Sequence, residues 1–250
     1  MQTRITLFKW VWRAYSKTSV FPLLVLELCL ISVYFLSNRF SNNENAKAFQ
    51  ADALQELSHL AAREANGINH QLSGIVSATE YLQNYSAAIM SNPKSPIRDN
   101  PARFKYSIEG AYYTTKDTGG SAVFYSGFVP IGKTERDKAM RSAGVDPALI
   151  GIKQAFPLVS QTYINTHDSL NRIYPYFDVL SQYPVKMDIP SYNFYYEADV
   201  QHNPARKPVW TDVYIDPAGK GWMTSCIAPV FNQLRPDFLE GVVGIDITIM

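Results

Sequence analysis

The chain has 250 residues, with 23 Lys and Arg against 22 Asp and Glu, for a formal net charge of +1. That length allows one large domain or two small ones, and a near-neutral balance without a long basic run argues against a nucleic-acid partner. The two cysteines, Cys29 and Cys226, lie far apart, and His59, His70, His167 and His202 are scattered, so neither a disulfide nor a metal centre is expected, and no cofactor is implied.

Residues 1–19 carry Arg4, Lys9, Arg13 and Lys17. They precede an apolar run of 17 residues, VFPLLVLELCLISVYFL, interrupted only by Glu27. This pattern predicts a transmembrane helix over 20–36. The polar stretch that follows, SNRFSNNENAK, is nearly neutral. The positive-inside rule then places the N-terminus in the cytoplasm and the remainder beyond the inner (cytoplasmic) membrane, in the periplasm or outside the cell. A signal peptide shares this layout, but the run is long for a signal core and no small-x-small cleavage site follows ISVYFLSNRF.

A second helix is predicted over 42–90. Leu54, Ala61, Ile68, Ile75 and Leu82 recur every seven residues, with Leu57, Ala65, Leu72 and Thr79 between them. No proline intervenes before Pro93. Such a stripe packs either on the chain's own domain or on a symmetric partner helix in a homodimer, and the pattern leaves both open.

Residues 91–250 read as one domain. SNPKSPIRDNP ends the helix, and strand-like SAVFYSGFVP and FPLVSQTYINT flank a polar helical stretch, KTERDKAMRSAG. PVWTDVYID, GWMTSCIAPVF and FLEGVVGIDITI follow as three closely spaced strands. The order, a long helix, mixed elements and then an antiparallel meander, predicts an α+β fold on a single sheet.

The densest chemistry lies in WTDVYIDPAGKGWMTS. As a strand it puts Trp210, Asp212, Tyr214 and Asp216 on one face and Thr211, Val213 and Ile215 on the other. Two aromatics beside two carboxylates fit the wall of a small-molecule pocket, and also a solvated cross-strand ladder. DPAGKG reads as a hairpin turn, in which Asp216 has the alternative of capping the turn. Upstream, Tyr192, Phe194, Tyr195 and Tyr196 form an aromatic cluster that, near aspartates, suits a cation or an amine. A hydrolase using Asp212, Asp216 and Asp246 is the catalytic alternative, but no nucleophile, metal or phosphate-loop motif accompanies these carboxylates.

The order YINTHDSLNRIYPY, NFYYEAD, NPARKPVWTDVYIDPAGKGWMTSCIAPVF and FLEGVVGIDITI resembles the membrane-distal module of double CACHE (dCACHE) sensor domains. These are extracytoplasmic PAS-like folds of bacterial chemoreceptors, sensor histidine kinases and diguanylate cyclases. The resemblance implies a non-enzymatic module that binds a small molecule. In amino-acid-binding members an Arg-x-Trp-Tyr motif, a Tyr-x-Asp and an Asp in a closing Gly-x-Asp strand line the pocket. The matching positions are Tyr195 and Tyr196, then Tyr214 and Asp216, then Asp246. The arginine position reads Asn193, and the aromatic expected shortly upstream falls near Asp188. Without the arginine the bidentate partner of a ligand carboxylate is missing, while the aspartates keep a seat for an ammonium group. The implied ligand is an amine or an amino-acid-like compound. The resemblance further implies a membrane-proximal module after residue 250, so that the chain is expected to be part of a longer receptor. The remaining alternative is a structural dimerisation module with a degenerate pocket.

Overall fold

The computed structural model describes residues 7–95 and 98–249. Arg4 of the basic leader and part of the loop after the long helix therefore lie outside the described residues. The chain divides into two compact units, Met1–Ile68 and Asn69–Met250.

The first unit is helical throughout its described residues. Helix α1 (Leu7–Tyr15) passes through a π-helical turn, Ser16–Val20, into α2 (Phe21–Met90). The Thr18 hydroxyl donates to the Ala14 carbonyl at 2.8 Å inside that turn, a common way to accommodate an extra residue in a helix. Leu23, Leu26, Leu30 and Phe35 are exposed, and the helix is long and apolar enough to cross a membrane. Apolar run and heptad stretch share one continuous helix. Further along it, Leu54, Leu57 and Ile68 stay exposed.

The second unit is built on an antiparallel sheet, as the α+β expectation requires. Its strands are β1 (Phe104–Tyr106), β2 (Tyr112–Thr114), β3 (Ala122–Tyr125), β4 (Val159–Thr166), β5 (Leu170–Tyr174), β6 (Val209–Trp210), β7 (Tyr214–Ile215), β8 (Trp222–Asn232) and β9 (Arg235–Thr248). Their order is β1-β2-β3-β5-β4-β9-β8-β6, with β7 also paired to β8. Between β3 and β4 lie α3 (Lys133–Arg141) and α4 (Asp146–Ala155), and the single turn α5 (Asn193–Tyr196) lies between β5 and β6.

Strand alternation sorts the two faces. Val243 and Ile245 of β9, Ile164 of β4 and Ala228 and Val230 of β8 join one core with Ile75 and Leu82 of α2 and Leu149 and Ile152 of α4. The heptad positions Ile75 and Leu82 are thus buried on the chain's own sheet. Val242, Tyr163, Ile173 and Ile227 form the core of the opposite face, under a cover that includes Tyr183, Met187, Ile189 and Phe194.

Buried ions tie the helical side together. Arg172 on β5 is fully buried and gives both guanidinium ends to carboxylates, Asp146 at 2.9 Å and Asp99 at 2.7 Å, while its Nε donates to Ser142 Oγ at 2.8 Å. Arg103 shares Asp99 at 2.9 Å. One cation therefore holds the loop after α2, the start of α4 and the sheet in one place. Removing one partner of such a cluster leaves uncompensated buried charge, so Arg172→Met is expected to lower unfolding free energy by about 3–5 kcal/mol in denaturant titrations.

Candidate functional site

The cavity on the covered face is lined by Tyr163, Asn165, Asn171, Ile173, Tyr183, Met187, Ile189, Phe194, Tyr214, Asp216, Pro217 and Asp246. Each strand supplies alternate residues: Tyr163 and Asn165 from β4, Asn171 and Ile173 from β5, Asp246 from β9. The cavity measures about 20 Å³, room for one or two water-sized groups. Gly244 permits this layer. A Cβ there would lie 2.1 Å from Tyr163 Cζ, so only glycine lets the tyrosine ring lie on the sheet beside Asp246.

Two carboxylates face each other through one amide. Gln161 Nε2 donates to Asp216 Oδ2 at 3.1 Å and to Asp246 Oδ2 at 3.3 Å. The Ser225 hydroxyl donates to Asp246 Oδ1 at 2.6 Å, and the Tyr214 hydroxyl lies 2.7 Å from Ser225 Oγ. Asp216 also ends β7 and organises the hairpin turn, as its carboxylate accepts the amides of Ala218 at 3.0 Å and Lys220 at 3.2 Å. Gly219, at φ 79°, supplies the left-handed turn position. Asp216 thus caps the turn and lines the cavity with the same carboxylate.

Burial sets the protonation. Desolvation lifts the Asp246 carboxyl to about 8, with the Asp216 charge adding to it against the hydrogen bonds from Ser225, Gln161 and Tyr214. Desolvation raises Asp216 too, opposed by the turn amides, Gln161 and the Lys220 charge. Tyr163 and Tyr183 are pushed well above the ordinary tyrosine range, first by burial and then by the neighbouring aspartates. Around this cavity, three of the buried polar atoms without a hydrogen-bond partner among the described residues come together: Gln161 Oε1, Asn171 Oδ1 and the Tyr163 hydroxyl.

Of the residues singled out from sequence, Phe194, Tyr214, Asp216 and Asp246 meet at this cavity. The others lie elsewhere, for local reasons. Trp210 and Tyr214 do not share a face, because the pairing with β8 shifts by one residue between Trp210↔Cys226 and Tyr214↔Met223. An extra residue at Thr211–Val213 reverses the alternation, as a bulge does. Trp210 packs on the helix-side core and Asp212 is exposed. On α5, helical rotation turns Phe194 towards the cavity and Tyr195 away from it. Tyr195 is buried near Asp168, Asp199 and Glu240, and Tyr196 is exposed with its ring 5.5 Å from His202. Asn193 donates its amide to the Asp212 carbonyl at 3.4 Å, and Asp188 precedes a one-turn 3₁₀ segment, its carbonyl accepting the Ser191 hydroxyl at 2.7 Å.

Sequence reasoning missed Gln161, Tyr163, Asn165, Asn171, Tyr183 and Ser225. A signal existed for three of them: in VSQTYINT, alternation alone puts Gln161, Tyr163 and Asn165 on one face, an unusually polar set for the middle of a sheet.

No protein family and no curated protein matches the chain. Among solved structures, it is similar to the ligand-binding domain of the Pseudomonas aeruginosa PAO1 amino acid chemoreceptor PctC in complex with GABA. The likeness has 16% identity and a TM-score of 0.43, and covers 74% of this chain and 58% of that one. It is also similar to the ligand-binding domain of a Campylobacter jejuni chemoreceptor, in complex with L-norvaline and in complex with 4-methylisoleucine. Those likenesses have 16% identity, TM-scores of 0.30 and 0.29, and cover 41% of this chain and 38% of the other. The chain thus spans little more than half of the PctC domain.

An acid whose folded pKa lies above its unfolded value holds its proton more tightly when folded. The Asp246 contribution to stability is therefore complete below the unfolded carboxylate range and is lost as pH rises through about 8. Melting temperature is expected to fall between pH 5 and pH 9 by roughly 2–4 °C per kcal/mol of lost stability. Asp246→Asn is expected to flatten that dependence in a thermal-shift series.

Proposed function

We propose that this chain is the ligand-sensing part of a bacterial membrane receptor: a single helix anchors it, and its α+β unit binds a small amine outside the cytoplasm. The observation that carries the ligand class is the pair of buried carboxylates, Asp216 and Asp246, facing one cavity with no cationic side chain among its described lining residues. A buried carboxylate is costly without a partner, and an arriving ammonium supplies it. The orphaned Gln161 Oε1 and the Tyr163 hydroxyl offer further acceptors beside that pair. The sequence resemblance to dCACHE modules supports the same reading, as does a helix long and apolar enough to span a membrane, with Lys9, Arg13 and Lys17 before the apolar run.

The site binds rather than transforms. Asp212, the third carboxylate of the hydrolase alternative, is exposed outside the cavity. Pairing of two copies through the exposed stripe of Leu54, Leu57 and Ile68 completes the proposed receptor. The size of the cavity, about 20 Å³, favours a second reading, a structural module whose own aromatics fill the pocket. On the sensing reading the cover over the sheet opens to admit anything larger than water.

Calorimetric titration separates the two. Alkylamines are expected to bind with an enthalpy that Asp246→Asn reduces and an affinity that it lowers about tenfold or more, the scale of a lost charge-assisted hydrogen bond. Binding of acetate or malate with amines inert excludes the amine, and silence towards both classes leaves the structural module.

A further inference from the structure

The cavity has a second polar end. Strand β4 pairs Gln161 with Asp246 on one side and, four residues on, Asn165 with Asn171 on the other. At the rise of a β-strand these two levels are roughly 13 Å apart along the sheet. Both asparagines line the cavity and are buried, at 2% and 4% exposure. Asn171 Nδ2 donates to Asn165 Oδ1 at 2.7 Å, which fixes the amide and leaves Asn171 Oδ1 without a partner among the described residues. A buried amide oxygen left unpaired is costly, and a donor group on a ligand removes that cost.

Between the two ends the walls are aromatic and aliphatic: Tyr163 and Phe194 with their rings 6.2 Å apart, Tyr183, Ile173 and Ile189. They suit a short methylene chain. Charge differs sharply from end to end. Two carboxylates stand at the Asp246 level, whereas a neutral amide pair stands at the other, and neither Lys nor Arg lines it. A ligand carboxylate there would meet the Asn171 oxygen with no cation to hold it, and a second ammonium would meet no counter-charge.

Building on the amine reading of the same site, we infer that the cavity selects a monoamine with a neutral hydrogen-bond donor at its far end, an amino alcohol or ω-amino amide, and that Asn171 is the residue that reads this donor. The ammonium lies on the cavity side of Asp216 and Asp246, beside the Gln161 amide that joins them, the chain crosses Tyr163, and the hydroxyl or amide N–H donates to Asn171 Oδ1.

Three probes of nearly equal size test this on the full chain in detergent: pentylamine, 4-aminobutan-1-ol and 4-aminobutanoate. The wild-type protein is expected to bind 4-aminobutan-1-ol at least about tenfold more tightly than pentylamine, the value of one satisfied buried hydrogen bond, and 4-aminobutanoate most weakly. Asn171→Leu should remove the preference for the alcohol while pentylamine still binds, and Asn171→Asp, which keeps an acceptor, should retain it. Equal affinity of wild type for pentylamine and the alcohol, or tightest binding of 4-aminobutanoate, overturns the inference. The first of these outcomes leaves the amine reading intact. If none of the three binds, both fall together. The wild-type ranking decides even if the leucine variant does not fold.

Discussion

The covered face of the sheet depends on one side chain, the amide of Gln161. It stands between Asp216 and Asp246 and hydrogen-bonds both, so that two carboxyl groups can occupy a nearly dry interior. Isolated, each would be costly to bury; joined to Gln161, Ser225 and the turn amides of Ala218 and Lys220, they become a buried polar network. The network fixes more than the cavity. It pins the β7–β8 turn to β4, joins β8 to β9 through Ser225 and Asp246, and sets the level on the sheet at which polar groups replace the apolar core.

Register decides what reaches that level. On β9, Val242, Gly244 and Asp246 alternate towards the cover while Val243 and Ile245 face the helices. Gly244 must be small because the Tyr163 ring lies over it, and a tyrosine held flat there closes one side of the cavity. The one-residue shift at Thr211–Val213 does the opposite work on the neighbouring edge. It sends Trp210 to the helical side and lets Tyr214 turn inward, where its ring meets Phe194 with centroids 5.5 Å apart.

This explains which parts of the protein were legible in the sequence. The apolar run, the heptads, the hairpin turn at Pro217–Gly221 and the long closing strands all rest on local periodicity, and they follow from residue order. Asp216 and Asp246 were legible as well, the first beside a recognisable turn and the second in a Gly-x-Asp strand. Trp210 and Asp212 misled because a strict period of two cannot show an inserted residue. Tyr195 and Tyr196 misled because NFYYEAD forms a helical turn, in which adjacent side chains diverge by about 100°. Alternation shows the face of Gln161 but not its two partners, 55 and 85 residues away, and nothing local marks the unpartnered amide oxygen of Asn171.

The same strands that carry the site also touch α2. From Ser225, β8 continues to Pro229, whose carbonyl accepts a 2.7 Å hydrogen bond from Gln83 Nε2 on the helix. Around that bond the helix buries Ile75 and Leu82 against Cys226, Ala228 and Val230, with the smaller Thr79 and Ser86 buried on the same face. One strand therefore carries both the Ser225 hydroxyl on the covered face and a directional hydrogen bond to α2 set in a close-packed core. The hydroxyl of Ser225, shared by Asp246 and Tyr214, ties that strand to the buried carboxylates, so β8 joins the polar layer of the covered face to the helical face of the sheet.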